Sequence, residues 1–398
     1  MTLREKIIQE IRANGPIPFS RYMEMCLYDA EYGYYSRNVE QFGKAGDFYT
    51  SSDVHAVFGR LLARQFEEMW RALGSPEKIE ILELGPGRGL FARDVLDWSE
   101  KKFPEFFGAV HYSLWERSEA LGARLRTTLE RHFAAGNVSF AQRLKPPLTE
   151  KLCGTAEAVP SRLHIQDASA LSITPVIVFA NELFDALPVE VLSPEGELRI
   201  AEKDGRFVET WVKASSENLE FVDRYSVHPE NGERVETARV AQKLMSRLAA
   251  GIQQGFLVAV DYGYTRAEQI TGRHRGTVMA YRQHSVSANP YEAPGEQDIT
   301  AHVNFTALAA AAEQQGMQVQ PLLTQSQFLM GIGELNQFAD AFEECRLPQE
   351  HAKVALQLKH LVTPAGMGES FHVLVASKGV ASEKAANLSG LTFGQRKA

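Results

Sequence analysis

From Ile79 to Phe91 the chain reads Ile-Glu-Ile-Leu-Glu-Leu-Gly-Pro-Gly-Arg-Gly-Leu-Phe. A short apolar run, a glycine at every second position from Gly85 to Gly89, and then Leu90 to Leu96 at helical spacing predict a buried strand, a tight turn and a helix. This is the geometry of a nucleotide cradle. Glycine is needed in such a turn because a side chain would keep a ligand off the backbone, and the helix N-terminus behind it offers free amide donors. A dinucleotide fingerprint, Gly-x-Gly-x-x-Gly, would require glycine where Leu90 stands, whereas the third glycine comes one residue early, at Gly89. A nicotinamide-dependent oxidoreductase is therefore disfavoured.

The flanking segments repeat the strand-then-helix rhythm of an α/β sheet. Ala109 to Trp115 reads as the next strand, closed by Glu116, with Ser118 capping a helix from Glu119 to about His132. Pro175 to Ala180 is an apolar parallel-core strand whose far end carries Asn181, Glu182 and Asp185, the end at which open α/β sheets hold ligands. The same three side chains also suit a capped turn. Gly255 to Gly263 is a further buried strand, with Asp261 as a cap, and Glu369 to Lys378 closes the sheet.

With 398 residues, the chain accommodates one large α/β domain with insertions. The expected division is an N-terminal helical extension and lid over 1–75, a core over 76–380, and a flexible tail over 381–398. Within the core, 189–230 reads as an insertion of short antiparallel strands and 264–305 as a loop-rich segment. Leu3, Ile7, Ile8 and Ile11 share a face of a first helix, a second begins near Pro18 with Ser20 as its cap, and others run over Val57 to Trp70 and Val235 to Ile252. The tyrosines between Tyr28 and Tyr35 either anchor the extension or roof a ligand. His302, in the loop-rich segment, has no partner spaced for metal binding.

A net charge of −8 argues against broad nucleic-acid binding, and no apolar run approaches the roughly 18 residues of a membrane span. Cys26, Cys153 and Cys345 are too scattered for a disulfide framework or zinc site, and no leader pattern opens the chain, so a cytosolic location is expected. The oligomeric state is open.

Two resemblances build on these residues. Glu83-x-Gly85-x-Gly87-x-Gly89 resembles the first motif of class I methyltransferases that bind S-adenosyl-L-methionine, and Glu116 matches their ribose-gripping acid. More specifically, Gly15 to Phe19, Tyr32 to Tyr35, Gly46-Asp47-Phe48, Asn181 to Pro188, Asp261-Tyr262-Gly263, Tyr281 to His284 and Asp298 to Val303 resemble the MidA-like family. Its mitochondrial members assist respiratory complex I assembly. The resemblance implies a Rossmann-like, mostly parallel seven-stranded sheet and methylation of arginine in a protein substrate such as a complex I subunit. It also implies that Gly85, Gly87 and Gly89 cradle the methionine part of the cofactor, Glu116 holds ribose and Asp167 lies near adenine. Gly46, Asp47, Phe48, Glu83 and Asn181 complete the implied cofactor set, with Glu182, Asp185 and His302 as catalytic candidates. The chain departs from the family at Ser52 to His55, where a proline and a glutamate are usual. A small-molecule acceptor, or a non-catalytic cofactor-binding assembly factor, is the alternative.

Overall fold

The structure, a computed structural model, describes residues 1–36, 56–116, 118–141, 174–282, 285–287 and 289–393. Gly46, Asp47, Phe48, Cys153, Asp167 and the stretch from Ser52 to His55 lie outside the described residues.

In chain order the main elements are helices α1 (Leu3–Asn14), α2 (Phe19–Tyr28) and α3 (Ala56–Ala72), then strand β1 (Ile79–Leu84), helix α4 (Leu90–Lys102) and strand β2 (Val110–Trp115). Helix α5 (Glu119–Thr128) leads to β3 (Val138–Phe140), β4 (Val176–Asn181), β5 (Gly255–Tyr264) and β6 (Gln318–Val319), with α6 (Gln325–Glu334) before β7 (Phe371–Lys378). The sheet order is β3-β2-β1-β4-β5-β7-β6, with β7 antiparallel to both its neighbours and the pairs from β3 to β5 parallel. This is the class I methyltransferase arrangement expected from the sequence.

Period-2 alternation sends successive side chains to two buried faces, which is why β4 is apolar from Val176 to Ala180. Val176, Val178 and Ala180 of β4 face one core with α1 and α2, while Ile177 and Phe179 face a second core with α3, α4 and α6. Phe179 stacks on Phe91 of α4 at 4.4 Å between ring centroids, which locks the helix after the glycine turn onto the sheet.

The inserted hairpins form a second sheet from Glu190–Ser193, Gly196–Lys203, Arg206–Val212 and Val235–Thr237. Ile17 and Pro18 join it, pairing with Ile200 and Arg199. Within 264–305 lie a helix, Arg266–Ile270, and a three-stranded sheet of Met279–Arg282, Ser285–Ser287 and Asp298–Thr300.

Four local expectations are corrected. Ser20 is inside α2 and its hydroxyl donates to Glu190, so it fastens the extension to the insertion and caps nothing. The helix expected from Val235 begins only at Arg239, because Val235 to Thr237 are drawn into the edge of the inserted sheet against Glu190 to Leu192. The helix from Glu119 breaks after Thr128 and restarts at Glu130. Residues 381–393 are no loose tail: Ala385, Leu388 and Leu391 are buried in the α3/α6 core, and Gln65 and Glu68 of α3 accept the N–H groups of Gly390 and Ser389.

Candidate active site

Strand order reverses at β1, whose neighbours are β2 on one side and β4 on the other. At such a switch point the chain leaves in both directions and opens a crevice at the carboxyl ends of the strands. A cleft of about 1020 Å³ lies there.

Its first wall is the glycine turn. Gly85, Gly87 and Gly89 have φ of 66°, 51° and 75°, a left-handed run that side-chain-bearing residues resist. The Gly85 N–H donates to the Trp115 carbonyl at 3.0 Å, which brings the turn beside Glu116 at the end of β2. Glu116 faces the cleft, and its Oε1 accepts the Ser118 N–H at 2.8 Å. Gly85 and Gly87 line the cleft and Gly89 does not. A Cβ on Gly89 would lie 2.7 Å from Leu125 of α5, so this glycine serves the packing of two helices. Glu83 is buried at the cleft edge, where it accepts the Tyr112 hydroxyl at 2.8 Å. Burial pushes its carboxyl up to about 8, against the lowering effect of that hydrogen bond.

The second wall is the turn that ends β4. Asn181, Glu182 and Asp185 all line the cleft, as the sequence placed them. Glu182 holds a left-handed φ of 50°, and its Oε1 accepts from Asn181 Nδ2 at 2.9 Å. Such a backbone costs roughly 1 kcal/mol or more in a residue other than glycine and persists where its surroundings impose it. The imposing group is Asp261 of β5: its Oδ2 accepts the N–H groups of Leu183, Phe184 and Asp185 at 3.2, 2.9 and 3.3 Å. Asp261 is thus the cap anticipated from the sequence, though for a turn on the neighbouring strand. Burial, together with Asp185 and Glu182 nearby, holds its carboxyl well above the usual range, and burial likewise raises that of Asp185. One oxygen of Asp185, Oδ1, is buried without a hydrogen-bond partner, as is Oδ1 of Asn181.

The roof comes from the N-terminal extension and the loop-rich segment. Tyr28 and Tyr35 of the N-terminal extension reach the cleft and stack on one another at 5.6 Å, and the Tyr35 hydroxyl donates to Asp298 at 2.9 Å. His302 lines the cleft beside Tyr262, rings edge to face at 5.2 Å. Burial first, and the neighbouring His274 second, lower the His302 imidazole to about 4. His274, Tyr262, Asp298 and His372 are lining residues that were not singled out as candidates in the sequence. Tyr262 and Asp298 lie within family-resembling segments, which was a signal; His274 carried none. Among the described residues no cluster of His, Cys, Asp and Glu suits a metal ion, and no helix is long and apolar enough to cross a membrane.

A glycine cradle on a helix N-terminus, an acid at the end of the next strand and a buried amide oxygen awaiting a donor fit S-adenosyl-L-methionine, whose amino and hydroxyl groups supply donors. Fold and site together define a class I S-adenosyl-L-methionine-dependent methyltransferase. The chain belongs to the S-adenosyl-L-methionine-dependent methyltransferase family whose model matches residues 61–323. It is 28% identical to the mitochondrial protein arginine methyltransferase NDUFAF7 homolog of Drosophila melanogaster, over 95% of this chain and 85% of that one. The NDUFAF7 protein of Danio rerio is also 28% identical, over 93% and 85% of the two chains. A crystal structure of a Burkholderia thailandensis protein bound to S-adenosyl-homocysteine matches with a TM-score of 0.78 and 26% identity, covering 98% of this chain and 94% of that one. These relatives correct one expectation: the curated proteins from fly, zebrafish and human are named as mitochondrial, which points away from the cytosolic location.

Proposed function

We propose that the protein is an arginine N-methyltransferase acting on a protein substrate, with a respiratory complex I subunit as the first candidate. The names of the curated relatives support arginine as acceptor, and the family resemblance supports the complex I connection. The observation that carries the reading is the acidic turn after β4, where Glu182 and the half-unpartnered Asp185 face one cleft.

When bound, S-adenosyl-L-methionine supplies a methyl group on a sulfonium. On the protein side, Gly85, Gly87, Glu83, Glu116 and Asn181 hold the cofactor; Gly89 supports them through α5, and Gly46, Asp47, Phe48 and Asp167 complete the set. Tyr28 and Tyr35 belong to a lid that excludes water from the cleft. An arginine guanidinium stays protonated and its nitrogens hold little free electron density. A carboxylate forked onto two of its nitrogens draws positive charge away from the third, which becomes the nucleophile. Glu182 takes this role first, and Asp185 second.

The test is transfer of labelled methyl to candidate subunits, with Glu182→Gln beside the unsubstituted chain. The reading expects transfer to fall by about 10²-fold or more while S-adenosyl-homocysteine binding stays within about twofold. Equal loss of both would make Glu182 a structural residue.

A further inference from the structure

Two imidazoles in the cleft touch each other. Nδ1 of His302 lies 3.1 Å from Nδ1 of His274, with ring centroids 5.4 Å apart. A hydrogen bond between two such nitrogens holds one proton, so one neutral ring donates and the other accepts. If His302 donates, its Nε2 is bare and the Nε2 of His274 carries the second proton. The pair then has a direction.

Both rings are held in place. His274 adopts a left-handed φ of 56° and lies flat on Tyr264 at 5.2 Å. His302 stands edge-on to Tyr262, and its backbone N–H donates to Thr277 Oγ1 at 3.1 Å. His274 is half-buried and the adjacent Arg273 is exposed at the cleft. The charged and titratable groups around the pair are Glu268 on the Arg266–Ile270 helix, Arg273, and His372 on β7, with Tyr262 and Tyr264 on β5.

Methylation of arginine releases a proton that such a pair can carry. As the carbon–sulfur bond breaks, its electron pair stays on sulfur and a guanidinium nitrogen bonds to the methyl carbon. That nitrogen then bears the methyl group, two hydrogens and a cationic carbon, and it is strongly acidic. The product keeps one positive charge, so one proton leaves per methyl transferred.

We propose that His302 accepts this proton at Nε2 and passes its Nδ1 proton to His274, which releases its own Nε2 proton to solvent, so that the pair is the proton outlet of the active site. Both rings then return to their starting tautomers by proton exchange with solvent. The inference rests on the arginine reading above. In this scheme His302 faces the reacting nitrogen, since it lines the same cleft as Glu182 and Asp185, and His274 acts through it. The depressed basicity of His302 suits a carrier: it stays neutral at rest, and a proton that arrives is passed on.

The experiment uses His274→Gln, which can still hydrogen-bond His302 but cannot relay. The expected result is a fall in kcat of about tenfold, smaller than the 10²–10⁴ typical of a direct acid or base, with unchanged KM for the acceptor protein and unchanged S-adenosyl-homocysteine affinity. The solvent deuterium effect on kcat should grow and added imidazole should restore the rate. Unchanged kcat, or a loss that tracks S-adenosyl-homocysteine affinity and resists imidazole, overturns the proposal. A second readout needs no substrate: ¹⁵N NMR of the histidines at pH 7 should place the His302 proton on Nδ1, and His274→Gln should raise the pH at which His302 titrates. A proton on His302 Nε2 overturns the outlet whatever the acceptor is. Absence of methyl transfer by the unsubstituted chain counts instead against the arginine reading.

Discussion

Asp261 Oδ2 accepts the backbone N–H of Phe184 at 2.9 Å, across from one sheet strand to the turn that ends its neighbour. The other oxygen accepts the Tyr262 N–H at 2.9 Å, so both sides of the carboxyl group face donors. Asparagine cannot satisfy both sides, because its NH2 must oppose an N–H. Asp261→Asn should therefore destabilise the fold by about 1–3 kcal/mol, and Asp261→Ala by more, since several buried amides lose their acceptor. Urea unfolding checks this; an Asn variant as stable as the parent would show that the turn holds itself.

The glycines of the turn should separate by function. Gly85→Ala places a Cβ 3.0 Å from Leu183 and crowds the cleft wall, so calorimetry should show S-adenosyl-homocysteine binding weakened tenfold or more, about 1.4 kcal/mol. Gly89→Ala meets Leu125 and a φ of 75°, away from the cleft. It should cost about 1–2 kcal/mol of stability with a smaller effect on affinity. The reverse ranking would place the cofactor elsewhere.

Glu83 makes stability depend on pH. Its folded carboxyl sits near 8 against an ordinary 4.5, so the folded chain binds the extra proton between those values. The stabilisation is complete below pH 4.5 and is lost as pH rises through 8. Glu83→Gln, neutral throughout, should match the parent near pH 4.5 and exceed it at pH 9, by on the order of 2–4 kcal/mol. Unfolding curves at the two pH values in the absence of cofactor are sufficient; a difference independent of pH would mean that Glu83 is ionised in the folded chain.

The C-terminal stretch should behave as core. Leu388 is 3% exposed, and Leu388→Ala should cost about 2–4 kcal/mol. Proteolysis of the folded chain should spare the bonds around Leu388 in the parent and open them in the variant.

The sheet and the cofactor wall were legible because their signals are local. Left-handed turns select glycine, doubly buried strands select continuous apolar runs, and an acid directly after β2 is forced to the same end of the sheet as Gly85. The remainder depends on neighbours distant in sequence. An acid at the end of β5 reads as a cap, but only the β4–β5 pairing shows that it caps a turn some 77 residues upstream. His274 and His302 are 28 residues apart and meet through a left-handed backbone turn at His274, so nothing in either short segment marks the pair. The tail misled because Ala385, Leu388 and Leu391 are spaced through polar residues and gain their burial only from a groove built by α3 and α6.

The pairing of Ile17 with Ile200 sets an order of events during synthesis. The strand that Ile17 pairs with does not exist until the ribosome has passed Ile200, so α1 and α2 emerge with their apolar faces uncovered and must wait. Residues 1–28 are thus made well before the surface that covers them, and chaperone dependence should map to that stretch.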